Sequence, residues 1–80
     1  MIKQGKYIVT SDAYGNEAII VFPEFMKHSD MTNGFNVISA GQIQINKDYI
    51  SCYGCSITLG VDSRKNIDTE LFKREFGWDD

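Results

Sequence analysis

The stretch NVISAGQIQINKDYISCYGCSITLG, residues 36–60, decides the fold. Two runs flank the polar triplet Asn46-Lys47-Asp48. Val37, Ile38, Ile43 and Ile45 precede it, and Tyr49, Ile50, Tyr53, Ile57, Thr58 and Leu59 follow it. β-Branched and aromatic residues suit a pleated, half-buried surface, and Asn and Asp tolerate the backbone angles of turns. The stretch therefore reads as one long β-hairpin. A two-residue loop at Lys47-Asp48 and a four-residue loop over 46–49 give the same register: Ile45 opposite Ile50, Ile43 opposite Cys52, Gly41 opposite Gly54. One face then carries Val37, Ile43, Ile45, Ile50 and Cys52. The other carries Gln42, Gln44, Ser51 and Tyr53, with Ile38, Ala40 and Cys55 further from the turn. A one-residue slip would scramble this separation, so burial of one face should fix the register. The far end, with Ile38, Ile57 and Leu59, is apolar on both faces and needs a second cover, from another segment or another subunit.

Before the hairpin, KYIVT (6–10) reads as a strand, followed by a turn at 11–16 containing Gly15 and Asn16. AIIVF (18–22) is a second strand whose apolar residues do not alternate, the pattern of a central strand or one at a subunit interface. Pro23 ends it. Phe25, Met26 and Met31 are spaced for a short helix or helical turn within 24–34, closed by Asn33-Gly34. After the hairpin, residues 62–76 predict the main helix. Asp62 or Ser63 would be its N-cap, and Ile67, Leu71, Phe72 and Phe76 its apolar stripe. Gly77 fits a left-handed C-cap, with Trp78 packing back on Phe72, and Glu70 is placed to pair with Arg74. The expected fold is α+β: a four-stranded antiparallel sheet, the C-terminal helix packed on one face, and a short helical turn between the second and third strands. One helix cannot cover both faces, so a homodimer through the second face is expected.

Eighty residues with a 42% hydrophobic fraction make one domain. The longest apolar run, 18–22, falls far short of the roughly 20 residues of a membrane span. The absence of a signal-peptide pattern and the presence of only two cysteines make the cytoplasm the expected compartment. A net charge of −3 without a basic cluster argues against nucleic-acid binding and suits, mildly, a basic partner.

Candidate sites are few. Cys52-Tyr53-Gly54-Cys55 has CxxC spacing, but zinc needs four ligands and neither a second CxxC nor a His pair occurs. A redox pair would open a helix, whereas this one lies inside a strand, so two independent strand cysteines are expected. His28, the only histidine, has Asp30 nearby but no recognisable nucleophile, and an exposed polar role is expected. Ser63, Arg64 and Lys65 open the predicted helix, where backbone N–H groups and two cations suit a phosphate or carboxylate. Gln42, Gln44, Ser51 and Tyr53 share one hairpin face, where a tyrosine among small polar groups makes a good protein-binding surface. No P-loop, dinucleotide fingerprint, catalytic triad or carboxylate dyad occurs, and nothing calls for a cofactor.

VISAGQIQI, CYGCSITLGVDSR and FPEFMKHSDM, within residues 19–77, resemble small uncharacterised proteins of bacteriophage and prophage genomes. The resemblance brings no activity and no site residues. It implies a setting, in which small acidic proteins act by binding a host or phage protein in the host cytoplasm. The first expectation is thus a non-enzymatic binding protein. The alternative is a nucleotide or anion binder at Ser63, Arg64 and Lys65, and an enzyme using His28 or Cys52 comes last.

Overall fold

The computed structural model describes residues 3–28, 34 and 36–77. The chain runs β1 (Lys3–Ser11), β2 (Glu17–Pro23), β3 (Val37–Ile45), β4 (Ile50–Tyr53), β5 (Cys55–Ser56), β6 (Val61–Asp62) and α1 (Asn66–Phe76). An antiparallel four-stranded sheet in the order β2-β1-β3-β4 carries the fold, and β5 and β6 form a separate two-stranded ribbon. The α+β architecture with a C-terminal helix is as the hydrophobic pattern predicts. β2 is not central, however. It forms one edge of the sheet, and β1 lies between β2 and β3.

The β3–β4 register is the derived one: Ile45 faces Ile50, Ile43 faces Cys52, Gln44 faces Ser51 and Gln42 faces Tyr53. Asn46 N–H closes the loop on the Tyr49 carbonyl at 2.8 Å. Two departures occur, at Gly54 and at Ile38. The second strand of the hairpin stops at Tyr53, because Gly54 turns into the left-handed region (φ 79°) and sends the chain into β5. The β1–β3 pairing also skips Ile38, passing from Val9–Ser39 to Thr10–Val37. An extra residue on one strand reverses the alternation beyond it. Ile38 therefore joins the core under the helix and Val37 the opposite one, the reverse of the simple alternation.

Each sheet face has its own cover. On one, Tyr7, Val9, Ile19, Ile43, Ile50 and Cys52 pack with Leu71 and Phe72 of α1. On the other, Ile8, Phe22 and Ala40 are joined by Met26 from the β2–β3 crossover and by Leu59 and Val61 from the β5–β6 ribbon. Thus the second face, for which a second subunit was expected, is covered over this core by the chain itself. His28 belongs to the same cover. It is buried, edge-on to Phe22 with ring centroids 5.5 Å apart, and its Nε2 lies 2.8 Å from the Gly41 carbonyl oxygen. A carbonyl can only accept, so Nε2 carries the proton. The exposed role expected for His28 is overturned: the imidazole pins the crossover to β3. Residues 24–28 begin with a turn, Met26 N–H to Pro23 O at 3.1 Å. The helical turn predicted within 24–34 otherwise falls on 29–33, outside the described residues.

The helix is shorter and turned differently than predicted. It starts at Asn66, and Leu71 and Phe72 are buried whereas Ile67 and Phe76 are 60% and 59% exposed. Phe76 stacks on Phe72 instead of entering the core. Gly77 is the left-handed C-cap, its N–H bonded to Lys73 O. Trp78 lies outside the described residues. Glu70 approaches Lys73 at 3.9 Å rather than Arg74.

Gly41 is the closest approach in the sheet, since a Cβ there would overlap the Tyr53 carbonyl and lie 3.1 Å from Ser63 Cβ. Gly41→Ala should therefore push β4 and the helix entry off β3. The expected loss is about 2 kcal/mol, read as a fall of roughly 10 °C in the thermal midpoint.

Candidate functional site: the polar cluster between sheet and helix

Asp68 is the third residue of α1 and lies on the helical face of Leu71 and Phe72, so packing that face carries its carboxylate into the interior, where it is fully buried. A buried carboxylate needs donors around it. Tyr7 O–H donates to Oδ2 at 2.6 Å, Ser39 O–H to Oδ1 at 3.0 Å, and Arg64 donates twice, from its backbone N–H to Oδ2 at 2.9 Å and from Nε to Oδ1 at 2.8 Å. Two central strands and the helix entry thus converge on one group.

The helix start departs from the expected cap. Neither Asp62 nor Ser63 caps it. The N-cap is Lys65, with φ 48° and ψ −106° and no side-chain cap bond of its own. A non-glycine residue at positive φ is strained and must be held by its surroundings. Ser63 Oγ accepts the Lys65 N–H, and the Lys65 carbonyl accepts both the N–H and the Oγ–H of Thr69, each bond at 2.9 Å. Asp68 reaches back to the Arg64 N–H, one residue before the N-cap. Thr69 Oγ also accepts the Cys52 N–H at 3.0 Å, which ties β4 to the same turn.

The proton direction follows from donor arithmetic. Tyr7 has one hydroxyl proton and gives it to the carboxylate, so Ser63, 2.6 Å from Tyr7 Oη, donates to it. The chain runs from Ser63 through Tyr7 to Asp68. Burial, then the hydrogen bond to Asp68, pushes the Tyr7 phenol far above its usual range. A phenol that holds its proton this firmly cannot activate Ser63 as a base. Burial likewise raises the Cys52 thiol to about 11, so it is neutral and unreactive at physiological pH. The arrangement holds elements together. It does not prepare a nucleophile.

Arg64 continues the network outward. Its Nη2 and Nη1 atoms meet Glu17 Oε1 and Oε2 at 2.8 and 3.3 Å, a forked pair that clamps the start of β2 to the helix entry. The Arg64 hydrogen bonds and charge keep Glu17 below the usual carboxylate range. Of the proposed anion site, Ser63 and Arg64 are thus committed to internal partners, and an incoming anion would face Glu17 and Asp68 as well as Lys65.

The other predicted set is brought together. Gln42, Gln44, Ser51 and Tyr53 lie on one sheet face by register, with Lys6 and Gln4 beside them on β1. Gln42 also has a structural task, donating Nε2–H to Cys55 O at 3.3 Å across the break at Gly54. Tyr53 is 38% exposed. Nearby cover segments carry two more exposed apolar side chains, Phe25 on the crossover and Ile57 on the β5–β6 turn. Cys52 and Cys55 are free, the first under the helix and the second on the ribbon. Among the described residues no cluster of His, Cys, Asp or Glu could hold a metal ion, and no helix is long and apolar enough to cross a membrane.

Sequence reasoning missed Asp68 and Tyr7. The available signal was an aspartate three and four residues before Leu71 and Phe72, with an arginine four residues before it. No protein-family model, curated protein or solved structure matches this chain.

Asp68→Ala strands Tyr7, Ser39 and Arg64 at once and should cost about 3 kcal/mol or more, whereas Tyr7→Phe should cost about 1 kcal/mol. The double variant should lose less than the sum in denaturant titrations, because the residues share one bond. Cys52 sets a pH window. Its thiol ionises near 9 when unfolded and near 11 when folded, so the unfolded state releases its proton first. Stability is full below about pH 9 and falls as pH rises towards 11, by up to about 1.4 kcal/mol per unit. Cys52→Ala should flatten that part of the stability–pH curve.

Proposed function

We propose that the protein is a non-enzymatic binding protein that engages a host or phage protein through the face bearing Gln42, Gln44, Ser51 and Tyr53. The carrying observation is the exposure of Tyr53 beside this polar strip, with Phe25 at 86% and Ile57 at 91% exposure on the segments that cover the rest of the same face. Exposed aromatic and apolar side chains together with a polar, hydrogen-bonding strip are the composition of protein-binding surfaces, where a few such anchors carry most of the energy. The polar cluster under the helix supports the non-catalytic half of the reading, because its donors and acceptors are spent on one another. The phage resemblance of the sequence supports the setting.

The test compares tagged wild-type protein with Tyr53→Ala and Ile57→Asp variants in capture from host cells, with melting curves to confirm folding. A protein recovered by the wild type should bind either variant at least about tenfold more weakly, since anchor truncations cost about 1–2 kcal/mol or more. Equal recovery with all three would move the binding surface elsewhere.

A further inference from the structure

The outer edge of β2 has no partner strand among the described residues, and its centre carries no charged residue, proline or bulge. Ala18, Ile19, Ile20, Val21 and Phe22 form an uncharged run, with Glu17 committed to Arg64 at one end and Pro23 at the other. Edges in monomers are usually protected by a lysine, a bulge or a covering loop. This one is straight and pairs with β1 in unbroken register from Ser11–Glu17 to Gly5–Pro23.

Two apolar features sit at opposite ends of this edge on the helix side. Beside Glu17, the exposed Ile67 lines a groove between α1 and the start of β2, together with Glu70, Leu71 and Arg74. At the Pro23 end, among the described residues, a mostly apolar hollow of about 470 Å³ is walled by Val21 and Pro23 on one side and Ile43 and Ile45 on the other, over Gly5. Antiparallel pairing of the edge with itself, centred on Ile20, places Ile19 beside Val21 and Glu17 beside Pro23 of the other copy. The register keeps both helices on one side of a continuous sheet. It also carries each Ile67 to the Val21–Pro23 wall of its partner's hollow.

We propose that this edge is the seat of a two-fold homodimer, with β2 paired antiparallel to β2 about Ile20 and each Ile67 seated against the Val21–Pro23 wall of the other copy. A second copy is the occupant because the surface is self-complementary: knob and hollow lie at the two ends of one strand, as an isologous contact requires. A heterologous peptide could pair with the edge but would leave both Ile67 and the hollow unmatched. The dimer edge is β2 whereas Tyr53 lies on β4 at the other edge of the sheet, so either reading can fail alone.

Sedimentation of the intact chain at about 100 µM should show a dimer, and Ile67→Glu, a change at an exposed position, should weaken it at least about tenfold without lowering the melting temperature of the monomer. Ile20→Cys in a Cys55→Ser background should form an intermolecular disulfide under mild oxidation, since residue 20 would face itself across the axis at cross-strand distance. Tyr14→Cys in that background, on the exposed β1–β2 turn away from the axis, should not. A monomer at this concentration overturns the proposal. So does a dimer that ignores Ile67→Glu and cross-links no better through position 20 than through position 14.

Discussion

One buried carboxylate organises this molecule. Asp68 sits where the helix meets the two central strands, and an unsolvated charge is tolerated only with donors fixed around it. Tyr7 comes from β1, Ser39 from β3 and Arg64 from the helix entry, so satisfying the carboxylate specifies how all three meet. Packing Leu71 and Phe72 against the sheet supplies driving force without direction. The four bonds to Asp68 supply the direction. They select one depth and one rotation of the helix, and the forked Arg64–Glu17 pair extends the constraint to the edge strand.

The same constraint explains the strained turn. Lys65 adopts a backbone conformation that side chains avoid, because the chain must leave β6 and enter α1 within three residues while Arg64 faces inward. Ser63, Thr69 and Asp68 divide the bonding of this turn among them. Polar residues at a helix entry commonly serve solvent or a ligand. Here they serve the turn.

Much of the framework was legible in the amino acids. Alternation around Asn46-Lys47-Asp48 specified the β3–β4 register, and Gly77 marked the end of the helix. What escaped were features set by non-local geometry. The bulge at Ile38 exchanges it with Val37 because β1 and β3 do not keep step, which no local pattern records. Ile67 reads as core by spacing but lies outside because the helix turns Asp68 inward. His28 reads as a surface residue in a polar loop, yet a backbone carbonyl of β3 and the edge of Phe22 receive it. AIIVF reads as central because both its faces are covered, by α1 on one and by the crossover on the other, although its outer edge is not. Of the candidate groups, the hairpin face could be assembled by counting in twos. The Asp68 cluster needed the fold first.

The bond between Tyr7 and Asp68 spans 61 residues of an 80-residue chain. During synthesis β1 and β2 emerge long before the residue that completes their cover. Until Asp68 arrives, the Tyr7 hydroxyl has no carboxylate to bond, and the apolar face of Val9, Ile19 and Ile43 has no Leu71 or Phe72 to lie under. Contacts between segments distant in sequence delay closure and leave sheet surface open in the meantime. For this domain, closing the helix side of the sheet therefore waits on residues some 61 places further along the chain.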